Sequence, residues 1–128
     1  MKVLLDTHAF LWFILNNPRL SRRAMEIITD RANEVLLSPA SYWEIAIKIS
    51  AGKFRLDIPY EEFWRDGIEV NSIYILPIEL RHTNQLLAMP FHHKDPFDRL
   101  LVAQSLADHV PLVSGDPALD AYGIQRLW

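Results

Sequence analysis

Short apolar runs recur along the chain, and longer segments in which apolar residues return every three or four positions lie between them. Three of the runs, 2–6, 34–38 and 73–78, consist mostly of Val, Leu and Ile. Two more, 111–114 and 124–128, come later in the sequence. Runs of this length and composition are typical of strands buried on both faces. The pattern therefore predicts five short strands.

The segments between the strands carry signals that begin and end helices. Ser21, Ser38 and Asp95 stand where an N-cap is expected, and Pro39 and Pro96 follow two of them at the first helical position. The segments predicted to be helical are 9–15, 22–32, 39–51, 60–70, 79–89 and 96–109. A turn is predicted for 115–123, where Gly, Pro and Asp cluster.

Alternation of strands and helices favours a parallel sheet with right-handed connections and helices on both faces. We predict an α/β fold, a three-layer α/β/α sandwich with a central, mostly parallel sheet of about five strands. The chain has 128 residues, of which 50% are hydrophobic, so residues 1–128 are expected to form a single domain. In such sheets ligands bind beyond the carboxyl ends of the strands, where the strand order reverses.

Composition removes several classes of protein. No apolar run reaches the roughly 18 residues that a membrane span needs, and no signal-peptide pattern is present, so a cytoplasmic protein without a membrane partner is expected. The absence of cysteine excludes disulfides, thiolate metal sites and cysteine nucleophiles. A net charge of −3 argues weakly against a nucleic-acid partner, because such proteins usually present a basic surface.

Four acidic residues stand where the predicted strands end or the following helices begin: Asp6, Glu44, Asp98 and Asp116. Carboxylates held close together raise one another's pKa, and burial adds to the cost, so a positive group is expected among them. Oxygen ligands on separate elements are the set that Mg²⁺ or Mn²⁺ favours. Divalent ions held in this way catalyse phosphodiester hydrolysis.

Glu44 also has a purely structural interpretation. It lies four residues before Lys48 on a predicted helix, and an exposed pair of this kind contributes only about 0.2–0.5 kcal/mol. However, Ala40, Ile47 and Ala51 lie along the same stripe of the helix, which favours an inward orientation for Glu44.

Two other acids have structural alternatives of equal weight. Asp6 follows a strand and is a residue type that forms turns. Asp116 precedes Pro117, which is the arrangement of an N-cap followed by the first helical residue. For both positions the sequence leaves ligand and local structural residue open.

Helix geometry predicts different roles for Asp95 and Asp98. Pro96 at the first helical position makes Asp95 the N-cap and places Asp98 at the third position of the helix. An acid there favours the helix dipole by about 0.3–1 kcal/mol. Asp98 also aligns with apolar positions such as Leu101 and Val102, so its side chain is expected to lean toward the sheet.

Several further polar residues flank the four acids. Thr7 and Ser114 carry hydroxyls beside two of them and are candidate hydrogen-bond partners of the ligands, although hydroxyls at turns are common. A local positive edge that could meet phosphate is formed by His92, His93 and Lys94, with a solvated loop as the alternative. The histidines at 8, 92 and 93 lack the spacing of a metal site.

Three tryptophans stand on predicted helices among apolar neighbours: Trp12, Trp43 and Trp64. Such positions favour core packing or dimer contacts over platforms on which bases stack.

Four segments together resemble the PIN-domain family, and more narrowly the VapC-type ribonuclease toxins of type II toxin–antitoxin pairs. They span nearly the whole chain: "LLDTHAFLW" at 4–12, "SPASYWEIAIK" at 38–48, "DPFDRLLVAQSLA" at 95–107 and "LVSGDPALDAYG" at 112–123. The order of the acids and the interval of 18 residues from Asp98 to Asp116 carry the resemblance. Many family members place Arg or Asn where this chain has Gly115.

The resemblance implies a specific chemistry. By it, Asp6, Glu44, Asp98 and Asp116 map onto an acidic cluster that binds one or two Mg²⁺ or Mn²⁺ ions and cleaves RNA endonucleolytically. Asp95, an additional acid beside the third position, is implied as a residue that supports the metal ligands without binding the ion directly. The resemblance also implies a homodimer and a cognate antitoxin whose tail occupies the acidic groove. Two bound divalent ions would change the formal charge of −3 to about +1, which reconciles an acidic chain with an RNA substrate.

Two alternatives remain open from the sequence. A non-catalytic PIN-like module could bind RNA or protein without cutting, although four converging carboxylates argue against it. A phosphatase could use Asp6 as a nucleophile that forms an aspartyl phosphate, but enzymes of that kind usually carry a second Asp two residues later, where this chain has His8.

Overall fold

A computed structural model describes all residues from 1 to 128 and contains one five-stranded sheet. The strands are β1 (Lys2–Leu5), β2 (Glu34–Leu37), β3 (Tyr74–Ile75), β4 (Leu112–Val113) and β5 (Arg126–Leu127). They lie in the order β3-β2-β1-β4-β5, and every neighbouring pair is parallel. The predicted α/β class and five-stranded sheet are confirmed.

Six α-helices and one 3₁₀ helix connect the strands. They are α1 (Thr7–Ile14), α2 (Arg22–Thr29), α3 (Pro39–Ser50), α4 (Tyr60–Glu69), α5 (Leu80–Ala88), α6 (Pro96–Asp108) and the 3₁₀ helix Pro117–Tyr122. The prediction of a plain turn at 115–123 is wrong, because Asp116 caps a 3₁₀ helix there. None of the helices is long and apolar enough to cross a membrane.

The sheet separates two hydrophobic cores, because successive side chains of a strand point to opposite faces. Leu4, Leu36 and Leu112 face a core shared with α6, the 3₁₀ helix and the residues after α5. The strand residues between them face the other core, where α1, α2 and α4 supply the aromatic and aliphatic side chains Phe10, Ala24, Ile27, Phe63 and Trp64. Helices therefore cover both faces, and the architecture has three layers.

The outer strand β3 is shorter than the predicted 73–78. Its partner β2 ends at Leu37, and the next residue, Ser38, already caps α3. The Leu76 N–H donates to the Leu37 carbonyl at 2.9 Å, and Pro77 has no N–H to continue the ladder. β4 and the edge strand β5 are likewise each limited to two residues.

The carboxyl ends of the central strands lie level at one edge of the sheet. Leu5 pairs with Leu37 on one side and with Val113 on the other, so β1, β2 and β4 end side by side. The chain builds β2 and β3 outward from β1 and then returns to place β4 on the opposite side of β1. The strand order therefore reverses beside β1, which is where ligands of such sheets bind.

Candidate active site

Asp6 follows β1 directly and caps α1. Its Oδ1 accepts a hydrogen bond from the Ala9 N–H at 2.6 Å. The residue is only 7% exposed. Burial raises the pKa of the Asp6 carboxyl to about 6, and the negative charges of Glu44 and Asp116 add to this effect, while hydrogen bonds from Ser114 and Ala9 oppose it. Asp6 therefore caps the helix as a local structural residue and is also a buried carboxylate whose ionised form is disfavoured.

Glu44 is almost fully buried on α3, with 3% exposure. Lys48 Nζ lies 2.9 Å from Glu44 Oε2, so the i,i+4 pair exists. The other oxygen, Oε1, is buried without any hydrogen-bond partner. An unsatisfied buried acceptor costs on the order of 1–3 kcal/mol, so Lys48 alone does not account for this carboxylate.

The stripe that predicted an inward Glu44 is only partly buried. Ala40 is in the core, but Ile47 is 41% exposed and Ala51 is exposed. Glu44 is buried together with Ala40, Ser41 and Ile45. The inward orientation agrees with the expectation, and so does the burial of Ala40, whereas the expectation was wrong for Ile47 and Ala51.

Asp95 and Asp98 have different contacts at the start of α6. Asp95 Oδ1 accepts hydrogen bonds from the N–H groups of Phe97 at 2.8 Å and Asp98 at 3.0 Å, so Asp95 is the N-cap. Burial raises the pKa of the Asp98 carboxyl to about 6, and repulsion from Asp95, Glu44 and Asp6 acts in the same direction. Asp98 thus shares the negative environment of the other acids.

His93, which was predicted from the sequence only as a possible phosphate contact, lies among the acids. His93 Nε2 is 2.9 Å from Asp98 Oδ2, a hydrogen bond that lowers the pKa of the Asp98 carboxyl. Candidate ligand atoms of His93, Asp98 and Asp116 lie within 4.8 Å of one another. His93 is therefore close enough to two of the acids to share a metal ion with them, although its spacing along the chain does not indicate a metal site. No spacing rule could have found it, because the loop before α6 brings it back over the first turn.

Asp116 completes the negative edge after β4. Its side chain accepts from the Ala118 N–H at 3.0 Å, and its own N–H donates to Ser114 Oγ at 3.1 Å. A cleft of about 430 Å³ opens at this point. It is lined by Asp6, His8, Trp12, Asp98, Gly115, Asp116 and Pro117.

The remaining predicted polar residues do not line this cleft, and each has contacts of its own. Thr7 Oγ1 and Ser41 Oγ are 2.9 Å apart, and this bond joins the start of α1 to α3. Ser114 is fully buried next to Asp6 and Asp116. The His92 ring lies 5.2 Å from the Tyr122 ring, and Lys94 is exposed. A role for His92, His93 or Lys94 in RNA contact stays a prediction.

The three tryptophans have three different environments. Trp64 is a core residue with 6% exposure. Trp43 is 63% exposed and contacts only the edge of the Phe97 ring among aromatic side chains, so core packing is wrong for it. Trp12 is half-buried and lines the cleft beside the acids.

The site as a whole is a set of carboxylates whose negative charge is not balanced by neighbouring cationic side chains. Asp6, Glu44, Asp98 and Asp116 repel one another, while Lys48 contacts a single oxygen of Glu44. Carboxylate oxygens from separate elements, with one of them buried and unpaired, fit a hard divalent cation such as Mg²⁺ or Mn²⁺. The residues present therefore suit a metal ion, with His93 close enough to contribute.

The sequence comparison decides the family. The model of the PIN domain family matches residues 3–125, which is nearly the whole chain. This chain belongs to the PIN domain family. No curated protein matches the sequence at a significant level.

Solved structures share the fold of this PIN domain at low sequence identity. VapBC2 from Rickettsia felis bound to a DNA fragment from their promoter gives a TM-score of 0.73 at 12% identity, with 100% of both chains covered. FitAcB from Neisseria gonorrhoeae gives 0.66 at 15%, covering 98% of this chain and 96% of that one. VapBC-1 from nontypeable Haemophilus influenzae gives 0.64 at 17%, with the same coverage of 98% and 96%.

The cap assignment of Asp95 in this PIN domain leads to a stability prediction. Asp95→Ala removes the acceptor for two N–H groups and is expected to lower the free energy of unfolding by about 0.5–2 kcal/mol. Asp95→Asn keeps an acceptor at the same place and should unfold close to wild type. Urea denaturation followed by circular dichroism measures both variants, and equal stability of wild type and Asp95→Ala would contradict the cap.

Proposed function

We propose that this PIN domain is a metal-dependent endoribonuclease that hydrolyses RNA phosphodiester bonds. The observation that carries the proposal is the convergence of four undercompensated carboxylates at the point where the strand order reverses. A buried oxygen of Glu44 without a partner supports the same conclusion. Such a cluster costs stability unless a cation balances it, so its presence favours a role in binding one.

Asp6 and Asp98 are proposed as the principal metal ligands, with Glu44 and Asp116 completing the set. A divalent ion bound there would supply a water nucleophile at neutral pH and stabilise negative charge on the phosphodiester oxygens. One or two Mg²⁺ or Mn²⁺ ions are proposed, because the ligands are mostly carboxylate oxygens.

Neighbouring side chains orient the proposed ligands. Ser114 lowers the pKa of the Asp6 carboxyl and also accepts from the Asp116 N–H, so it lies between the two acids that follow β1 and β4. Lys48 fixes one oxygen of Glu44 and leaves the other buried without a partner. His93 holds one oxygen of Asp98. Groups that hold metal ligands in this way typically affect metal affinity by about 10- to 100-fold.

A toxin role with a cognate antitoxin is proposed from the resemblance to VapC-type proteins, and the similar VapBC structures support it at the level of the fold. An open, acidic cleft suits a basic segment of such a partner. A homodimer is also proposed, and the exposed leucines Leu80 and Leu87 on α5 support an interface there. Growth arrest on expression, relieved by inactivation of the acid cluster, would agree with the toxin role.

The proposed activity is tested with the purified protein and a mixture of structured and unstructured RNAs. Internal cleavage is expected with Mg²⁺ or Mn²⁺ and none with EDTA. RNA binding is also expected to need the metal ion, because the protein alone is acidic. Cleavage that persists unchanged in EDTA would contradict the proposal.

Calorimetry with Mn²⁺ near neutral pH separates the nuclease from a silent binding module. The nuclease requires measurable binding, whereas no heat of binding together with no cleavage would favour the module. Trapping a phosphorylated Asp6 would favour the phosphatase instead.

A further inference from the structure

An aromatic surface forms one wall of the acidic cleft. His8 and Trp12 stand four residues apart on α1, so they share one face of the helix. Their ring centroids are 5.6 Å apart, with an angle of 42° between the ring planes. Both residues line the same cleft as Asp6, Asp98 and Asp116.

Trp12 is supported from behind by another indole. The Trp128 ring lies 5.9 Å from the Trp12 ring at 60°, an edge-to-face arrangement. Trp128 also packs onto Gly115, where an added Cβ would lie 3.0 Å from two atoms of its six-membered ring. A side chain at position 115 would therefore displace Trp128, and glycine is what permits this approach. Trp12 is therefore packed between the rings of His8 and Trp128.

The chemistry of this wall differs from that of the acids opposite. Aromatic faces do not bind phosphate, but they stack on nucleobases, and every base has such a face. The cleft of about 430 Å³ is within the usual range of ligand pockets. Bases in a duplex are already stacked and paired, whereas unpaired bases are free to stack on a protein ring.

We propose that Trp12, flanked by His8 and backed by Trp128, stacks on one base of an unpaired RNA strand and so positions the neighbouring phosphodiester over the acids. The proposal rests on the ribonuclease function proposed above. It assigns to Trp12 the positioning of one unpaired nucleotide beside the bond that is cleaved. Because stacking does not read base edges, the selection is for unpaired nucleotides and not for one sequence.

Trp12→Ala is expected to lower kcat/KM on single-stranded RNA by about 5- to 150-fold and to leave Mn²⁺ affinity unchanged. Trp12→Phe should retain most of the activity. His8→Ala removes an exposed ring and should give a smaller loss with the fold intact. Trp43→Ala is the matched control, because Trp43 is exposed on α3 and does not line the cleft. Circular dichroism establishes that each variant is folded.

The decisive substrate is an RNA oligonucleotide with one abasic nucleotide beside the cleaved bond. Wild type should lose activity on it, while Trp12→Ala should cut it as poorly as it cuts the intact strand. Wild type should also cut the strand better than the corresponding duplex. Equal cleavage of intact RNA by wild type and Trp12→Ala would overturn the proposal, as would an equal fold-loss for the two proteins on the abasic strand.

Failure of the proposed ribonuclease function can be distinguished from failure of the proposed stacking by Trp12. A wild-type protein that cuts no RNA contradicts the proposed function. Stacking is then assessed by fluorescence anisotropy with 5′-fluorescein-labelled single-stranded RNA and Mn²⁺. Weaker binding by Trp12→Ala than by Trp43→Ala supports the aromatic platform, and equal binding by both overturns it.

Discussion

Asp98→Asn is expected to lower metal-dependent RNA cleavage by at least about 100-fold, because removing a metal ligand should cost more than removing the groups that merely orient one. Asp98 lies among Asp6, Glu44 and Asp95, and its candidate ligand oxygen is within 4.8 Å of that of Asp116. Asparagine keeps the size of the side chain and can still accept from His93, but it removes the negative charge that would hold a cation.

Asp95→Asn is the matched control for this substitution. Asp95 caps α6 and Asp98 lies in its first turn, so both variants lose one negative charge at the start of the same helix. Asp95 is engaged as the N-cap, and asparagine replaces aspartate in that role with little loss. Initial rates with Mn²⁺ should therefore be close to wild type for Asp95→Asn. Full activity of Asp98→Asn, or equal losses in both variants, would refute the assignment of Asp98 as the ligand.

Asp6→Asn is expected to stabilise the metal-free protein at neutral pH by up to about 3 kcal/mol, while it removes cleavage. Burial raises the pKa of Asp6 from 3.8 to about 6, so its ionised form disfavours the folded state. Asparagine remains an acceptor for the Ala9 N–H and carries no charge. The negative charge that Asp6 would need to bind a metal ion therefore lowers the stability of the metal-free protein.

The pH dependence of the effect follows from the raised pKa of Asp6. Between pH 4 and pH 6 the folded state binds more protons than the unfolded state, so the free energy of unfolding falls as pH rises. Above about pH 6 the penalty is fully present, and below about pH 4 it disappears. Asp98, whose pKa is also raised to about 6, contributes in the same direction and window. Asp108 and Asp120 have lowered pKa values, so the stability they contribute is lost only under more acidic conditions.

Urea denaturation in EDTA between pH 4 and pH 7.5 measures this prediction. The stability of Asp6→Asn should exceed that of wild type at pH 7.5 and converge with it toward pH 4. Asp57→Asn, at an exposed position between α3 and α4, should follow wild type throughout. Mn²⁺ should restore wild-type stability at neutral pH, because a ligand of the native state favours folding. A wild type that is more stable than Asp6→Asn at pH 7.5 without metal would contradict the mechanism.

Local signals in the sequence predicted much of the scaffold. The caps at Ser38, Asp95 and Asp116 depend on a side chain and the backbone two or three residues away, so they can be read without tertiary contacts. The apolar runs predicted the five strands, because buried parallel strands consist of such residues. Strand lengths were less predictable, since pairing at β3 ends where its neighbour β2 ends.

Part of the site could be predicted from the sequence, and part of it depends on tertiary packing. Sequence order placed Asp6 and Asp116 after strands, and the parallel sheet then brings them to one edge. The burial of Glu44 depends on how α3 packs, and the sequence stripe was right about Ala40 but wrong about Ile47 and Ala51. The exposure of Trp43 likewise follows from packing and not from its apolar neighbours.

The position of His93 is the clearest example of a feature that the sequence pattern does not predict. Its position depends on the loop before α6, where Arg99 Nη1 donates to the Pro90 carbonyl at 2.9 Å and the guanidinium lies 4.0 Å from the centre of the Phe91 ring. These contacts turn the loop so that His93 meets Asp98. By itself the sequence determined the elements, their caps and the order of the acids, because these follow from local periodicity and backbone hydrogen bonding. Only the tertiary structure decided that His93 joins the acids, that Glu44 keeps an unpaired oxygen and that Trp12 faces the cleft, because each depends on how loops and helices pack and not on local periodicity.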